Sequence, residues 1–248
     1  FRFPDAGFAL LRSDDATVVM KYGPHGGGHG HPDKLSISIH DGTKELLSDF
    51  GTSAYGAPDY TRWYRKTLAH NTVTVDGQDQ SATTGNLIAF DSRPDGGMIR
   101  ASADSAYRNV KMSRSLKLSG AKLTDLFVCQ SPEEHRYDYV LLFNTRPELS
   151  AKAGESVTFS ETPYNCIRNA SRYVFDSDFR ITVDGTEVRM RVSVPVEVFV
   201  GEASGIPPTN PGVRTVSGSE KRPVLTSYPV IIRAKEKSVT FEAQWKIR

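Results

Sequence analysis

The chain has 248 residues, 38% of them hydrophobic and 24% charged, an ordinary globular balance that argues against a disordered segment. Its 31 Lys and Arg against 29 Asp and Glu leave a net charge of only +2, interspersed along the sequence, so nothing marks a nucleic-acid partner. No run of about 18 apolar residues is present to cross a membrane as a helix.

The first residues, FRFPDAGF, carry neither an initiator Met nor a basic stretch leading into an apolar one, and the chain reads as a fragment of a longer protein. From there period-two alternation with β-branched and aromatic residues recurs almost to the end. It runs through ATVVMKYG (16–23), LSISIH (35–40), NTVTVDG (71–77), KMSRSLKLSG (111–120), KLTDLFVCQ (122–130) and DYVLLFN (138–144). It continues in RITVDG (180–185), EVRMRVSV (187–194), VEVFVG (196–201), PVIIRAK (229–235) and SVTFEAQW (238–245). HDGT, VDGQ, VDGT and LSGAK separate these runs with the residues that hairpin turns require. The expected fold is all-β: a large antiparallel β-sandwich of stacked sheets, one domain over 1–248. Only DYTRWYRKTLAH (59–70) offers a short helix, with Trp63, Tyr64 and Leu68 on its apolar side. Residues 204–224, rich in Pro, Gly and Ser, read as a long loop. Cys129 and Cys166 lack metal-site spacing, which leaves one disulfide or two buried thiols.

The stretch YGPHGGGHGHPDKLSI (22–37) sets three histidines on the most flexible backbone of the chain, at the mouth of a strand. Ordering glycine is costly, so such a cluster implies close approach or positive φ. If the segment is extended, His29 and His31 project to the same side. Asp49 follows one strand and His70 precedes another, so His31, Asp49 and His70 make a three-donor zinc set, with hydrogen-bonded loop histidines as the commoner alternative. His25, His40 and His135 read as ordinary polar residues, and Asp33 as a turn residue after Pro32. A serine-hydrolase elbow and a P-loop are both absent. YTRWYRK (60–66) presents flat aromatic faces and guanidinium forks suited to a sugar ring or a carboxylate, or else packs as core.

Three motifs in order, GGGHGHPDKLSI, LLSDFGTSAYGAP and WYRKTLAHNTVTVDGQDQS, resemble the heparinase II/III-like polysaccharide lyases in the β region that follows an α/α toroid. The resemblance is strongest over residues 22–80, and YGAPDYTRWYRKTLAHNTV is most similar to exo-acting oligo-alginate lyases. It implies a structural zinc on His31, Asp49 and His70, and a cleft-facing His29 for carboxylate neutralisation or general-base work. By the same resemblance Tyr55 and Tyr60 are candidate cleft tyrosines, and Arg62 and Arg65 candidate anion contacts. The implied reaction is β-elimination on a uronic-acid polysaccharide or oligosaccharide, alginate first and heparin-like glycosaminoglycan second. The missing toroid would supply further groups, which leaves the isolated fragment inactive, and the implied location is bacterial, periplasmic or secreted. Family members often carry a His where this chain has Phe143 and Asn144, which puts a contact from that point in doubt. Two other classes compete: a non-catalytic carbohydrate-binding or scaffold module, and a zinc hydrolase with an open metal position.

Overall fold

A computed structural model describes residues 1–42, 44–53, 55–151, 153–206 and 225–248. The expected all-β architecture is what it shows: every strand pairing among the described residues is antiparallel, and the helical pieces are single turns. Two long strands, Lys122–Phe143 and Thr226–Lys246, run paired from Lys122 opposite Lys246 to Phe143 opposite Tyr228, with a register slip between Gln130 and His135. The sequence pattern divides each into two shorter strands, because the exposed, charged residues around the slip interrupt the alternation.

This ribbon belongs to two neighbourhoods. Its first half is flanked by Lys111–Ser119 on one side and Thr186–Val192 on the other. There the burial alternates, with one face in the core and the other toward solvent. Its second half is flanked by Val73–Val75 and Val196–Ser204. Here every residue from Tyr137 to Phe143 is buried, since Tyr139, Leu141 and Phe143 enter the main core while Val140 and Leu142 face a second cluster with Trp63, Tyr64, Leu68, Tyr164 and Phe199. Burial on both faces explains the unbroken apolar run YVLLF (139–143). A meander of Phe8–Arg12, Thr17–Lys21, Ser36–His40 and Glu45–Leu47 packs Leu11, Val18, Met20, Ile37 and Ile39 into the main core. Its strand ends carry the candidate site.

Local chemistry explains the hairpins. Asp184 and Gly185 both have positive φ, 49° and 83°, as a two-residue turn between Val183 and Thr186 requires. The pair Asn86–Arg93 and Gly96–Ser102 was not legible as strands, because the first lies on a half-exposed edge with no clean alternation. The expected helix over 59–70 is only a five-residue π turn, Tyr60–Tyr64, and a 3-10 turn, Thr67–Ala69, separated by an extended Lys66. Tertiary bonds win over helix continuity: Trp63 Nε1 and Tyr64 Oη donate to the carbonyls of Ser204 and Gly205, and Asp79 takes the Thr67 N–H. Both cysteines are free, Cys129 in the core and Cys166 donating to the Arg62 carbonyl, so the disulfide alternative is excluded. Of the expected loop 204–224, Ser204 closes a strand and residues 207–224 lie outside the described residues. No helix among the described residues is long and apolar enough to cross a membrane.

Inside the main core sits a charge pair with no exposed side-chain surface. Arg114 Nε and Nη2 bind the Asp125 carboxylate at 2.8 and 2.5 Å, and Tyr139 Oη donates to the same carboxylate at 2.6 Å. The remaining nitrogen, Nη1, donates to the carbonyls of Leu35 (2.7 Å) and Asn71 (2.6 Å). Removing one partner of such a pair strands a buried charge. Arg114→Met therefore lowers unfolding free energy by about 3–5 kcal/mol in urea titrations. Arg93→Ala, which breaks an ion pair whose arginine is 74% exposed, changes it by no more than about 0.5 kcal/mol.

Candidate functional site

The glycines of residues 22–31 have a specific use. Gly26 and Gly27 hold φ of 83° and 64°, and the chain turns once through Gly27–His29. At Gly30 an added Cβ would stand 1.6 Å from the His25 carbonyl oxygen, so only glycine permits this approach. The segment is thus a tight turn and not the extended strand that would send His29 and His31 to one side in simple alternation.

Beyond it the chain is clamped. Leu35 has φ of 62°, a conformation that costs a bulky residue on the order of 1–3 kcal/mol. Its N–H is bound to the Lys21 carbonyl and its carbonyl to Arg114. Gln80 grips Lys34 through both main-chain groups, accepting from its N–H at 2.7 Å and donating to its carbonyl at 3.2 Å, where Thr72 Oγ1 also donates. Asn71 ties the three segments together: its Nδ2 donates to the Ile37 and Ser48 carbonyls and its Oδ1 accepts from Leu142 N–H. Asn144 adds bonds to Ser48 Oγ and the Glu45 carbonyl, which gives it a supporting role beside Asp49.

These clamps bring His70 and Asp49 together, with Nδ1 3.5 Å from Oδ2. His70 is 1% exposed, and both of its ring nitrogens lack a hydrogen bond. Buried polar atoms are ordinarily satisfied, so this imidazole calls for a partner. Asp33, Asp49 and His70 each place a donor atom within 4.8 Å of the others, one such group among the described residues. The His31 ring stands beside His70, centroids 5.2 Å apart. The close group is therefore Asp33, Asp49 and His70, while the expected His31 stands outside it with its ring against that of His70. The turn reading of Asp33 holds, its carbonyl accepting the Ser36 N–H, but the residue does more: it is 2% exposed and ion-paired to Lys21 (2.5 Å) and Lys34 (3.1 Å).

Electrostatics sort the four. Burial, followed by the charge on His70, pushes His31 down to about 4, so it presents a neutral lone pair at neutral pH. Desolvation opposes a charged His70, but Asp49 and Asp33 outweigh it and raise its pKa. Desolvation likewise opposes ionised Asp49, yet His70 and the Gly51 N–H hold its carboxyl below the usual range. A donor set of two imidazoles and two carboxylates, with a fully buried ring left unbonded, fits a divalent cation of borderline softness.

Next to the donors, a cavity of about 460 Å³ is lined by Lys21, His29, His31, Asp33, Asp49 and Thr52, among others. At its lip His29 Nδ1 lies 2.6 Å from Tyr55 Oη. The Tyr55 and Tyr60 rings are 5.1 Å apart, and Arg65 stacks over Tyr60 while donating to the Gly30 carbonyl. Four of the five candidate cleft residues thus form one cluster, with His29 and Tyr55 exposed and Tyr60 and Arg65 half-buried. Arg62 does not join it; its backbone carbonyl meets Cys166 on the far side of the turn.

A family model described as heparinase II/III-like, C-terminal, matches residues 1–245. The chain belongs to that family. Among curated relatives, the exo-oligoalginate lyase of Saccharophagus degradans is 27% identical over 152 residues, covering 52% of this chain and 21% of that protein. A heparin-sulfate lyase of Bacteroides stercoris is 30% identical over 123 residues, covering 46% and 18%. This heparinase II/III-like chain spans about a fifth of the length of these relatives. Its fold matches a heparinase III gene product with a TM-score of 0.72 at 18% identity, over 99% of this chain and 35% of that one. It also matches the heparan sulfate lyase from Pedobacter heparinus, with a TM-score of 0.65 at 17% identity, over 98% and 35%.

In metal-free buffer the Asp49–His70 attraction has a defined pH window. The lowered Asp49 pKa contributes stability that is full above about 4 and lost in acid; the raised His70 pKa contributes stability that is full below about 6.5 and lost as pH rises through it. Stability relative to an Asp49→Asn variant therefore peaks between those limits, as thermal melts across pH 3 to 9 are expected to show.

Proposed function

We propose that this chain is the β-sandwich part of a lyase that cleaves uronic-acid-containing polysaccharide by β-elimination, with alginate or oligo-alginate as first substrate and heparin-like glycosaminoglycan as second. The observation that carries the reading is the His29–Tyr55–Tyr60–Arg65 cluster at the lip of a cavity lined by His31, Asp33 and Asp49. The names of its relatives, lyases of alginate and of heparin sulfate, support the substrate class.

β-Elimination needs three things: the sugar carboxylate neutralised so that the C5 proton becomes acidic, a base to take that proton, and an acid to protonate the departing glycosidic oxygen. On this chain Arg65 offers a guanidinium held in place by Tyr60 and by the Gly30 carbonyl, suited to the carboxylate. His29 and Tyr55, joined by one short hydrogen bond, form a pair through which a proton passes between imidazole and phenol. His29 takes part in carboxylate neutralisation or acts as base, and the tyrosines flank the sugar ring. A zinc ion held by His31, Asp49 and His70 would supply a fixed positive charge that pins the three strand ends.

The remaining catalytic groups belong, in this reading, to an α/α toroid on the same polypeptide, in a periplasmic or secreted bacterial enzyme. The chain by itself then gives no unsaturated uronate from oligo-alginate. In the full-length protein, His29→Ala lowers kcat by roughly 10²–10⁴-fold while zinc content and melting temperature stay unchanged. Robust turnover by the isolated chain, or an active His29→Ala enzyme, contradicts the assignment. His31→Ala and His70→Ala are expected to lose metal and melting temperature together, measured by elemental analysis and calorimetry. Loss of activity with stability retained would instead point to a metal that activates water, the hydrolase alternative.

A further inference from the structure

We propose that Asp33 is a fourth protein donor to the metal of this site, alongside His31, Asp49 and His70, so that the coordination shell closes without water. This inference rests on the zinc reading above and deepens it. Asp33 belongs to the tightest set of donors in the described chain, with Asp49 and His70 and mutual separations within 4.8 Å. Donors on a tetrahedral zinc with bonds near 2.1 Å stand about 3.4 Å apart, so side-chain adjustments of about an ångström bring Asp33, Asp49 and His70 onto one ion, and His31, its ring centroid 5.2 Å from that of His70, completes the shell by turning toward them. A second and independent observation points to the ion: His70, 1% exposed, has both ring nitrogens without a hydrogen bond, with Asp49 Oδ2 3.5 Å from Nδ1.

The two lysines on Asp33 do not compete with this role. A carboxylate has about four lone-pair positions, and Lys21 on Oδ2 and Lys34 on Oδ1 use two of them. Lys34 is fully buried, an expensive placement for an ammonium whose one described counter-ion is Asp33. Bonded this way, the lysines play the part that outer hydrogen bonds play for metal-ligating carboxylates, fixing the rotamer and limiting the net charge of the site. The backbone holds Asp33 as well, its N–H on the His31 carbonyl and its carbonyl on the Ser36 N–H. Four donors from the chain make a closed structural centre, whereas three leave a position for water.

Cobalt(II) is the probe. The metal-free chain is loaded with Co(II), its visible spectrum recorded with and without excess thiocyanate, and zinc affinity measured by chelator competition. The wild-type spectrum is expected to be that of a four-coordinate site and to ignore thiocyanate. Asp33→Asn is expected to bind thiocyanate with a changed spectrum and to lose more than about 100-fold in zinc affinity, beyond the range of an outer-sphere substitution. Lys21→Met, which removes an ion-pair partner and no donor, keeps the wild-type spectrum. A wild-type spectrum that thiocyanate alters overturns the proposal whether or not Asp33→Asn folds, and so does an Asp33→Asn spectrum identical to wild type. No uptake of cobalt or zinc by the wild-type chain overturns the zinc reading itself, a result distinct from either of these.

Discussion

Two of the three segments that carry the candidate site converge on one buried guanidinium. Arg114 and Asp125 lie in the core with no exposed side-chain surface, and the desolvation of two charges is repaid only if their hydrogen bonds are complete. They are complete because Arg114 reaches past Asp125 to the carbonyls of Leu35 and Asn71. Those two residues lie in the loops that carry Asp33 and His70. The same bonds that make the ion pair tolerable therefore fix two of the three segments that form the site, and Asn71 joins the third through Ser48.

The result is a site with two mechanical tiers. Below, the donors sit on backbone held by Gln80, Thr72, Asn71 and Arg114, each of them buried and fully used. Above, His29 and Tyr55 are exposed on a glycine turn and a loop, linked to each other and through Tyr60 and Arg65 to the Gly30 carbonyl. Functional groups need support from rotamers locked elsewhere, and here the lower tier supplies it.

Much of the fold was legible because alternation and Asp-Gly turns are local properties; RITVDG and EVRMRVSV turn where two consecutive positive φ values were expected. The fusion of KLTDLFVCQ with DYVLLFN was not, since a strand that alternates in one half and is buried on both faces in the other shows no single period. In the site, His31, Asp49 and His70 could be grouped from strand ends and from the motif; the folded chain sets the donor atoms of Asp49 and His70 close to one another and the His31 ring beside His70. Asp33 was missed because Pro-Asp reads locally as a turn, while its burial depends on Lys21, a residue from another strand. Asn71 carried no signal beyond its place after His70, and its three bonds are all long-range. The 59–70 helix failed for the same reason: Asp79 takes the Thr67 N–H, and Ser204 and Gly205 anchor the Trp63 and Tyr64 side chains, all of them partners distant in sequence.

The most direct test of this account is anomalous diffraction from crystals of the zinc-loaded protein at the metal's absorption edge. A single peak bonded to His31, Asp49 and His70, with Asn71 still bridging Ile37 and Ser48 beneath it, is the predicted result. A map without a peak there, or one in which His70 has turned away to a different partner, would contradict it.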